Sequence, residues 1–553
     1  MLKKDYSHWD KKDLIAEIKK LEKRKKYGLV WDEERTKEVF ELQALNGLPV
    51  LDDVPENAIN TNPAQPTNIL IEGDNFHALS VLSYTHEKSI DVIYIDPPYN
   101  TGARDWKYNN DYVDSKDAYR HSKWLSMMAK RLSLSKNLLK KDGVLVIAID
   151  DNEVHRLRLL IEEIFPEYDT TSVTVVQNPR GNITNNFART HEYALFLIPK
   201  GLSVIKRIKK ENTSPRKLRR WGHNSTRLAR PTMFYPIYVK DGEIVRIGIV
   251  PDVDFHPKSK NIKKRNGEIE VYPIDQDGVE RRWNFGLDSI EGELDRIVAI
   301  EVDGEIDMFL TQEDTTPKTV WTDSKFEAGR NGATLVKSLT GKDFPYPKSI
   351  FTVKQCLELI VKDRPEAIIL DYFAGSGTTG HAVSILNKED SGSRRFILCT
   401  NNENGIAREI CFPRIKAVIK GNKDYPDITK IPSNLKYFRT SFVPSEPSDE
   451  NKELLTRQSV EMLCLREATF DFVAETDMWK LYENNEHFTA ILFDQLSIPD
   501  LKEELEKLKK PVSVYVFSLE DDNFANEFAD MKDKVKVCSI PEAILRVYRR
   551  IYQ

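Results

Sequence analysis

Short apolar runs bounded by turn residues dominate two stretches of the chain. Their spacing predicts strands alternating with helices. Asn68-Ile69-Leu70-Ile71-Glu72 runs into a Gly73-Asp74 turn and predicts a strand, followed by a helix over 78–84. A second strand is predicted over 90–95, a helix over 125–139, a third strand over 143–149 and a helix over 156–164. The rhythm resumes after residue 345: helix 350–361, strand 367–371, helix 381–386, strand 395–399. The strands are nearly continuous in Val, Ile and Leu, the texture of parallel strands buried on both faces. An α/β, doubly wound sheet is expected.

Three stretches break the rhythm. Leu14, Ile15, Ile18 and Leu21 recur at near-helical spacing among lysines and glutamates, so 1–60 is expected to be a helical segment ending in an Asn/Pro-rich loop from Pro55 to Pro66. From about Leu202, alternating segments such as 238–245 resemble hairpins. Ten cations between Lys206 and Arg230 are opposed there only by Glu211, with Trp221, Phe234, Tyr235 and Tyr238 close by. This reads as an inserted module over 201–335, between sheet halves at 61–200 and 336–440. Residues 441–553 are expected to form a small α/β C-terminal domain, with strands near 513–517 and 535–537.

With 553 residues, 40% apolar and 31% charged, the chain has room for several domains with real cores. It holds no apolar run of about 18 residues that could span a membrane, and no apolar segment behind the N-terminal charges. Five cysteines without a C-x-x-C pair support neither a disulfide framework nor a zinc site, and a cytoplasmic location is expected. A net charge of −5 repels phosphate, so any nucleic-acid contact must come from a local basic face.

Two motifs carry chemistry. Asp96-Pro97-Pro98-Tyr99 follows the strand over 90–95. Two prolines cannot continue a central strand, so the chain leaves at the carboxyl edge, where open α/β sheets place ligands. An acid, a fixed backbone carbonyl and an aromatic plate suit an exocyclic base amine. Accepting its N–H bonds localises a lone pair otherwise delocalised into the ring, while the aromatic side chain stacks on the base. Phe373-Ala374-Gly375-Ser376-Gly377-Thr378-Thr379-Gly380 also lies between strand and helix. Its glycines admit close approach of a ligand to backbone at a helix N-terminus, and they formally satisfy a dinucleotide fingerprint, with Glu403 beyond the next strand placed for ribose hydroxyls.

The pair, in this order and separated by a basic insertion, resembles the β-class amino-group DNA methyltransferases. The segments 71–79 and 539–545 resemble the modification subunits of type III restriction-modification systems. That resemblance implies a Rossmann-like S-adenosylmethionine-dependent fold with an inserted target-recognition domain. It also implies methyl transfer from S-adenosylmethionine to N6 of a flipped-out adenine in double-stranded DNA. Adenine is preferred because related N4-cytosine enzymes more often carry Ser in place of Asp96. By the same resemblance Asp96, Pro97, Pro98 and Tyr99 form the catalytic loop. Asp74, Asn75, Lys348, Asp371, Phe373, Ala374, Gly375, Gly377, Thr378 and Glu403 line the cofactor site, with the segment 344–349 closing on the cofactor carboxylate. Arg216, Lys217, Arg219, Arg220 and His191 contact DNA. A homodimer and a restriction (helicase-nuclease) subunit are the implied partners, and no metal is required. Two rivals stand beside this reading. An NAD-dependent oxidoreductase rests on the glycine fingerprint alone and leaves 96–99 unexplained. A non-catalytic recognition subunit for a nuclease is opposed by the intact Asp96 and Tyr99.

Overall fold

The computed structural model describes residues 9–15, 31 and 47–552, apart from 63–64, 109–110, 184–185, 210–214, 312–313, 427 and 520–523. The chain divides into two compact units: Met1–Ile205 with Lys318–Gln553, and Lys206–Pro317.

The first unit is organised by one mixed sheet. Its strands are β1 (Gly47–Asp53), β2 (Thr67–Glu72), β3 (Ile90–Ile95), β4 (Leu139–Ile149), β5 (Tyr168–Val175), β6 (Glu192–Pro199), β7 (Val320–Trp321), β8 (Ile368–Asp371), β9 (Arg395–Thr400) and β10 (Asn434–Pro444). They lie in the order β1-β10-β2-β9-β8-β3-β4-β6-β5-β7. The six strands from β10 to β4 are parallel. Every residue of β3 is buried, as expected for a central parallel strand covered on both faces. The helices α1 (Asn75–Thr85), α2 (Arg120–Leu138), α3 (Val154–Ile164), α4 (Ile350–Val361) and α5 (Thr378–Asp390) connect or cover these strands. From β3, the chain passes through α2 to β4 on one side. From β8, it passes through α5 to β9 on the other. The strand order therefore reverses between β3 and β8, which makes their carboxyl ends the crevice of this sheet.

Beyond the parallel centre the sheet departs from the all-parallel expectation. β6 lies between β4 and β5 and is antiparallel to both, and β1 is antiparallel to β10. An apolar run reads alike in either orientation, so the direction was not legible locally. β1 also corrects the expected helical segment 1–60: residues 47–53 form an edge strand, where Pro49 is tolerated because an edge strand has one side free of ladder bonds. Of the stretch before it, residues 11–15 are helical, and most of the remainder lies outside the described residues.

The C-terminal region carries a five-stranded sheet running from Asp471–Glu475 to Val535–Ile540. It is sewn to the main body. Ile544 and Tyr548 of the last helix, Glu542–Tyr552, belong to the main core, and the Tyr548 hydroxyl donates to the Pro49 carbonyl at 2.5 Å.

The second unit, Lys206–Pro317, is shorter than the expected insert 201–335, because β7 joins the main sheet by pairing with β5. A three-stranded and a four-stranded antiparallel sheet enclose their own core around Tyr235, Trp283 and Met308, each fully buried. The Trp283 indole donates to the Tyr235 carbonyl at 2.8 Å, so this core leaves neither polar group orphaned. A core of its own predicts independent folding. A fragment of residues 206–317 should melt in one cooperative transition followed by tryptophan fluorescence; a broad, non-cooperative melt would contradict this.

Candidate active site

Both motifs sit at the crevice. β3 and β8 pair in parallel through Val92↔Ile369 and Ile93↔Leu370, so the loops that begin at Asp96 and just after Asp371 leave neighbouring strands at the same edge of the sheet. The loop after β3 is held from several directions. Trp124, fully buried on α2, donates through its indole to the Pro98 carbonyl at 2.6 Å. That leaves the buried Pro97 carbonyl, which meets no hydrogen-bond donor among the described residues. Asn100 adopts a left-handed φ of 56° and is fully buried. Its amide donates to Glu153, while its oxygen accepts from the Trp106 indole at 3.1 Å. His121 and Arg156 complete the pairing of Glu153. These partners convert a two-proline exit into a fixed loop.

Lys348 reaches this loop from the segment before α4. Its ammonium donates to Glu192 Oε2 at 3.0 Å and to the Tyr99 hydroxyl at 2.5 Å, and lies 3.1 Å from Asp96 Oδ1 as an ion pair. The Tyr99 hydroxyl in turn donates to Glu192 Oε2 at 2.9 Å, and the ammonium lies 4.5 Å from the Tyr99 ring centre. Lys348, expected at the cofactor carboxylate, is therefore bound to the catalytic loop, because two buried or half-buried carboxylates converge on it. Burial raises the Asp96 pKa to about 6, opposed by Lys348 and aided by Glu192. Burial works against the Lys348 ammonium, but Asp96 and Glu192 more than offset it, so its pKa rises.

The glycine loop is built largely from its own side chains. Asp371 accepts from the Phe373 N–H at 3.0 Å and from the Thr379 hydroxyl at 2.5 Å, and burial raises its pKa to about 7. Buried Arg414 donates to Thr378 Oγ1 at 2.8 Å and to Ser376 Oγ at 3.1 Å, supporting the loop from behind. Gly375 and Gly377 have φ of +48° and +77°, where L side chains are strained. A Cβ on Gly375 would come within 3.4 Å of the Phe344 ring, so Phe344 lies against this loop. A Cβ on Gly377 would instead meet Cys411 Sγ at 3.1 Å and the Ile415 side chain at 3.5 Å. Conformation and packing both favour a residue without a side chain there.

Of the remaining expected cofactor residues, Asp74 caps α1 by accepting from the Phe76 N–H at 2.8 Å. Asn75 donates to the Tyr372 carbonyl at 3.0 Å, tying that helix to the end of β8. Phe373 and Ala374 lie in the loop itself, half-buried and buried respectively. Glu403, beyond β9, pairs with Lys107 at 2.6 Å. His191 does not pair with Glu192; its ring faces Tyr193, with Nε2 and the hydroxyl 3.3 Å apart. Sequence reasoning singled out His191 and passed over Glu192, Trp124 and Glu153. The signal available for Glu192 was an acid opening an apolar strand, a place where an acid must have a partner.

In the second unit, the expected basic residues divide. Arg216 and Arg220 are exposed. Arg219 is buried at 7% exposure and faces Asp307 at 3.5 Å, and Lys217 pairs with the same carboxylate at 3.4 Å. Burial, then the neighbouring Arg220 and Arg230, lowers the Arg282 pKa. Among the described residues no carboxylate pairs with these three guanidiniums, and exposed Trp221 lies under Arg281 at 4.8 Å.

A protein-family model described as DNA methylase matches residues 90–410, taking in both motifs and everything between them. The type II methyltransferase M.KpnI of Klebsiella pneumoniae is 32% identical, over 62% of this chain and 83% of its own. The Mod subunits of the type III restriction-modification enzymes EcoPI of Escherichia phage P1 and StyLTI of Salmonella typhimurium are 28% and 29% identical, over 61% and 64% of this chain. The matches cover 58% and 55% of those two subunits, so the chain spans little more than half their length.

Gly377→Ala should lower stability by about 1–3 kcal/mol through the positive φ and the crowding at Cys411. The expected result is a lower urea midpoint with unchanged slope, measured without any cofactor. An unchanged midpoint would mean that the glycine serves a ligand after all.

Proposed function

The chain belongs to the DNA methylase family, and from that premise we propose that it transfers a methyl group from S-adenosylmethionine to N6 of an adenine flipped out of duplex DNA. The observation that carries this reading is the pairing of β3 with β8, which sets Asp96 and the glycine loop at one crevice. The fingerprint reading as an NAD-dependent oxidoreductase falls with family membership.

The residues present fit the cofactor. The loop over 373–377 offers backbone at a helix N-terminus, and Glu403 offers a half-exposed carboxylate for ribose hydroxyls once Lys107 shares it. When bound, S-adenosylmethionine supplies an electrophilic methyl group on a cationic sulfur. Asp96 and the Pro97 carbonyl accept the two N6–H bonds, which localises the amine lone pair for attack. As the N–C bond forms and the S–C bond breaks, Asp96 takes the proton released from N6. Tyr99, its hydroxyl fixed by Glu192, stacks on the base for about 1–3 kcal/mol, which offsets part of the few kcal/mol needed to extrude it. Adenine is chosen over cytosine on the identity of Asp96. Kinship with Mod subunits supports action within a restriction-modification system, with a second copy of the chain and a restriction subunit as partners. No helix among the described residues is long and apolar enough to cross a membrane.

Asp96→Ala should abolish methyl transfer from labelled S-adenosylmethionine to duplex DNA while calorimetry still shows cofactor binding, because the interaction it removes matters mainly in the transition state. Substantial residual transfer would remove Asp96 from the mechanism. In the wild-type protein the Asp96 carboxylate must be ionised, so kcat/KM should fall as pH drops through about 6 rather than near the usual carboxylate range.

The second unit is proposed to hold DNA through Arg220, Arg230 and Arg282. Charge reversal at Arg220 and Arg230 should weaken binding to specific and scrambled duplexes alike. The log–log salt slope should flatten by about 0.9 for each phosphate that is no longer neutralised. Lys217→Glu should change the slope less, since Asp307 already engages that cation. An unaltered slope after both reversals would move the DNA-binding surface elsewhere.

A further inference from the structure

Glu192 is 5% exposed, and among the described residues Lys348 is the cation within ion-pair distance of it. A buried carboxylate without that ammonium would be a costly unpaired charge. Lys348 is shared with Asp96 at nearly equal distance, 3.1 Å against 3.0 Å. One cation between two carboxylates leaves the cluster one negative charge in excess. Asp371, facing the same crevice from β8, has its own pKa raised in part by the charge on Asp96. Tyr99 on the loop and Tyr94 on β3 also face Asp96.

This arrangement has a consequence for an attacking amine. If Lys348 answered Asp96 alone, the two would form a closed ion pair, and the carboxylate would pull weakly on N6–H. With Glu192 taking half of the ammonium's attention, Asp96 keeps negative charge available to the amine and to the positive charge that develops there. The same Glu192 oxygen accepts the Tyr99 hydroxyl, so the stacking plate and the catalytic acid are set by one side chain.

We propose that Glu192 is a positioning residue for methyl transfer: it shares Lys348 with Asp96, keeps Asp96 out of a closed ion pair with that ammonium, and fixes the Tyr99 ring. The inference rests on the methyl-transfer reading above. It assigns Lys348 to the acid that handles the amine rather than to the cofactor.

The two partners act on Asp96 with opposite sign, and a merely structural role would not reproduce that. kcat/KM for methyl transfer to duplex DNA is measured against pH, with melting temperature and calorimetric cofactor affinity as controls. Glu192→Gln should move the acid limb to lower pH, because a neighbouring negative charge is removed. Lys348→Met should move it to higher pH by about 1–3 units, because an opposite charge is removed. Since Lys348→Met leaves two carboxylates facing one another, the double variant Glu192→Gln/Lys348→Met is measured beside it, and its limb should fall between those of the singles. Limbs that stay in place, or move in the same direction, overturn the proposal. So does a Lys348→Met protein whose limb is unmoved while its cofactor affinity collapses, which would return Lys348 to the cofactor. A Glu192→Gln protein that melts and binds cofactor normally but is inactive at every pH would make Glu192 a reacting group, and also overturns it. A wild-type protein that transfers no methyl group brings down the methyl-transfer reading and this inference with it; an active wild type with unmoved limbs brings down this inference alone.

Discussion

The parallel pairing of β3 with β8 is the interaction on which the site depends. Its two strands come from opposite ends of a long intervening segment, and each ends in an acid followed by a loop that cannot continue the ladder. A sheet in which the crossovers turn away from each other at this point must leave a crevice there. Everything chemical follows from what the two loops carry into it. The glycine loop brings backbone at the start of α5, and the other loop brings Asp96, the Pro97 carbonyl and the Tyr99 ring.

Burial acts on the acids at this crevice. Burial lifts both Asp96 and Asp371 above the ordinary carboxylate range. The chain meets this cost differently in each case. Asp371 is answered by a backbone N–H and the Thr379 hydroxyl, neutral donors that fit a group shaping a loop. Asp96 is answered by a cation that is itself divided with Glu192, which leaves a carboxylate able to act on a substrate. The second unit inverts the pattern. There, guanidiniums gather at Arg220, Arg230 and Arg282 without a carboxylate among the described residues, while Lys217 and Arg219 are drawn to Asp307. The second unit carries as many acids as cations overall, so what it gathers is a local basic cluster rather than a net positive charge.

What the sequence determined by itself is local. The helices and strands around both motifs were legible because apolar period and turn residues act within a few positions. β3 and α4 coincide with their expected bounds, and β9 and α3 differ by a residue or two. The two motifs were legible because Asp-Pro-Pro-Tyr and the glycine loop each have a chemical logic contained in consecutive residues. Tertiary structure alone decided the rest. It set the antiparallel direction of β6, since an apolar run pairs equally well either way. It recruited residues 47–53 as an edge strand, by pairing with residues 438–444 far along the chain. It sent Arg219 inward and left Arg220 outside. Most of all, it brought Lys348 and Glu192 to Asp96. No window of sequence contains all three, and a buried charge finds its partner through the fold, because only there does the loss of water make the partner necessary.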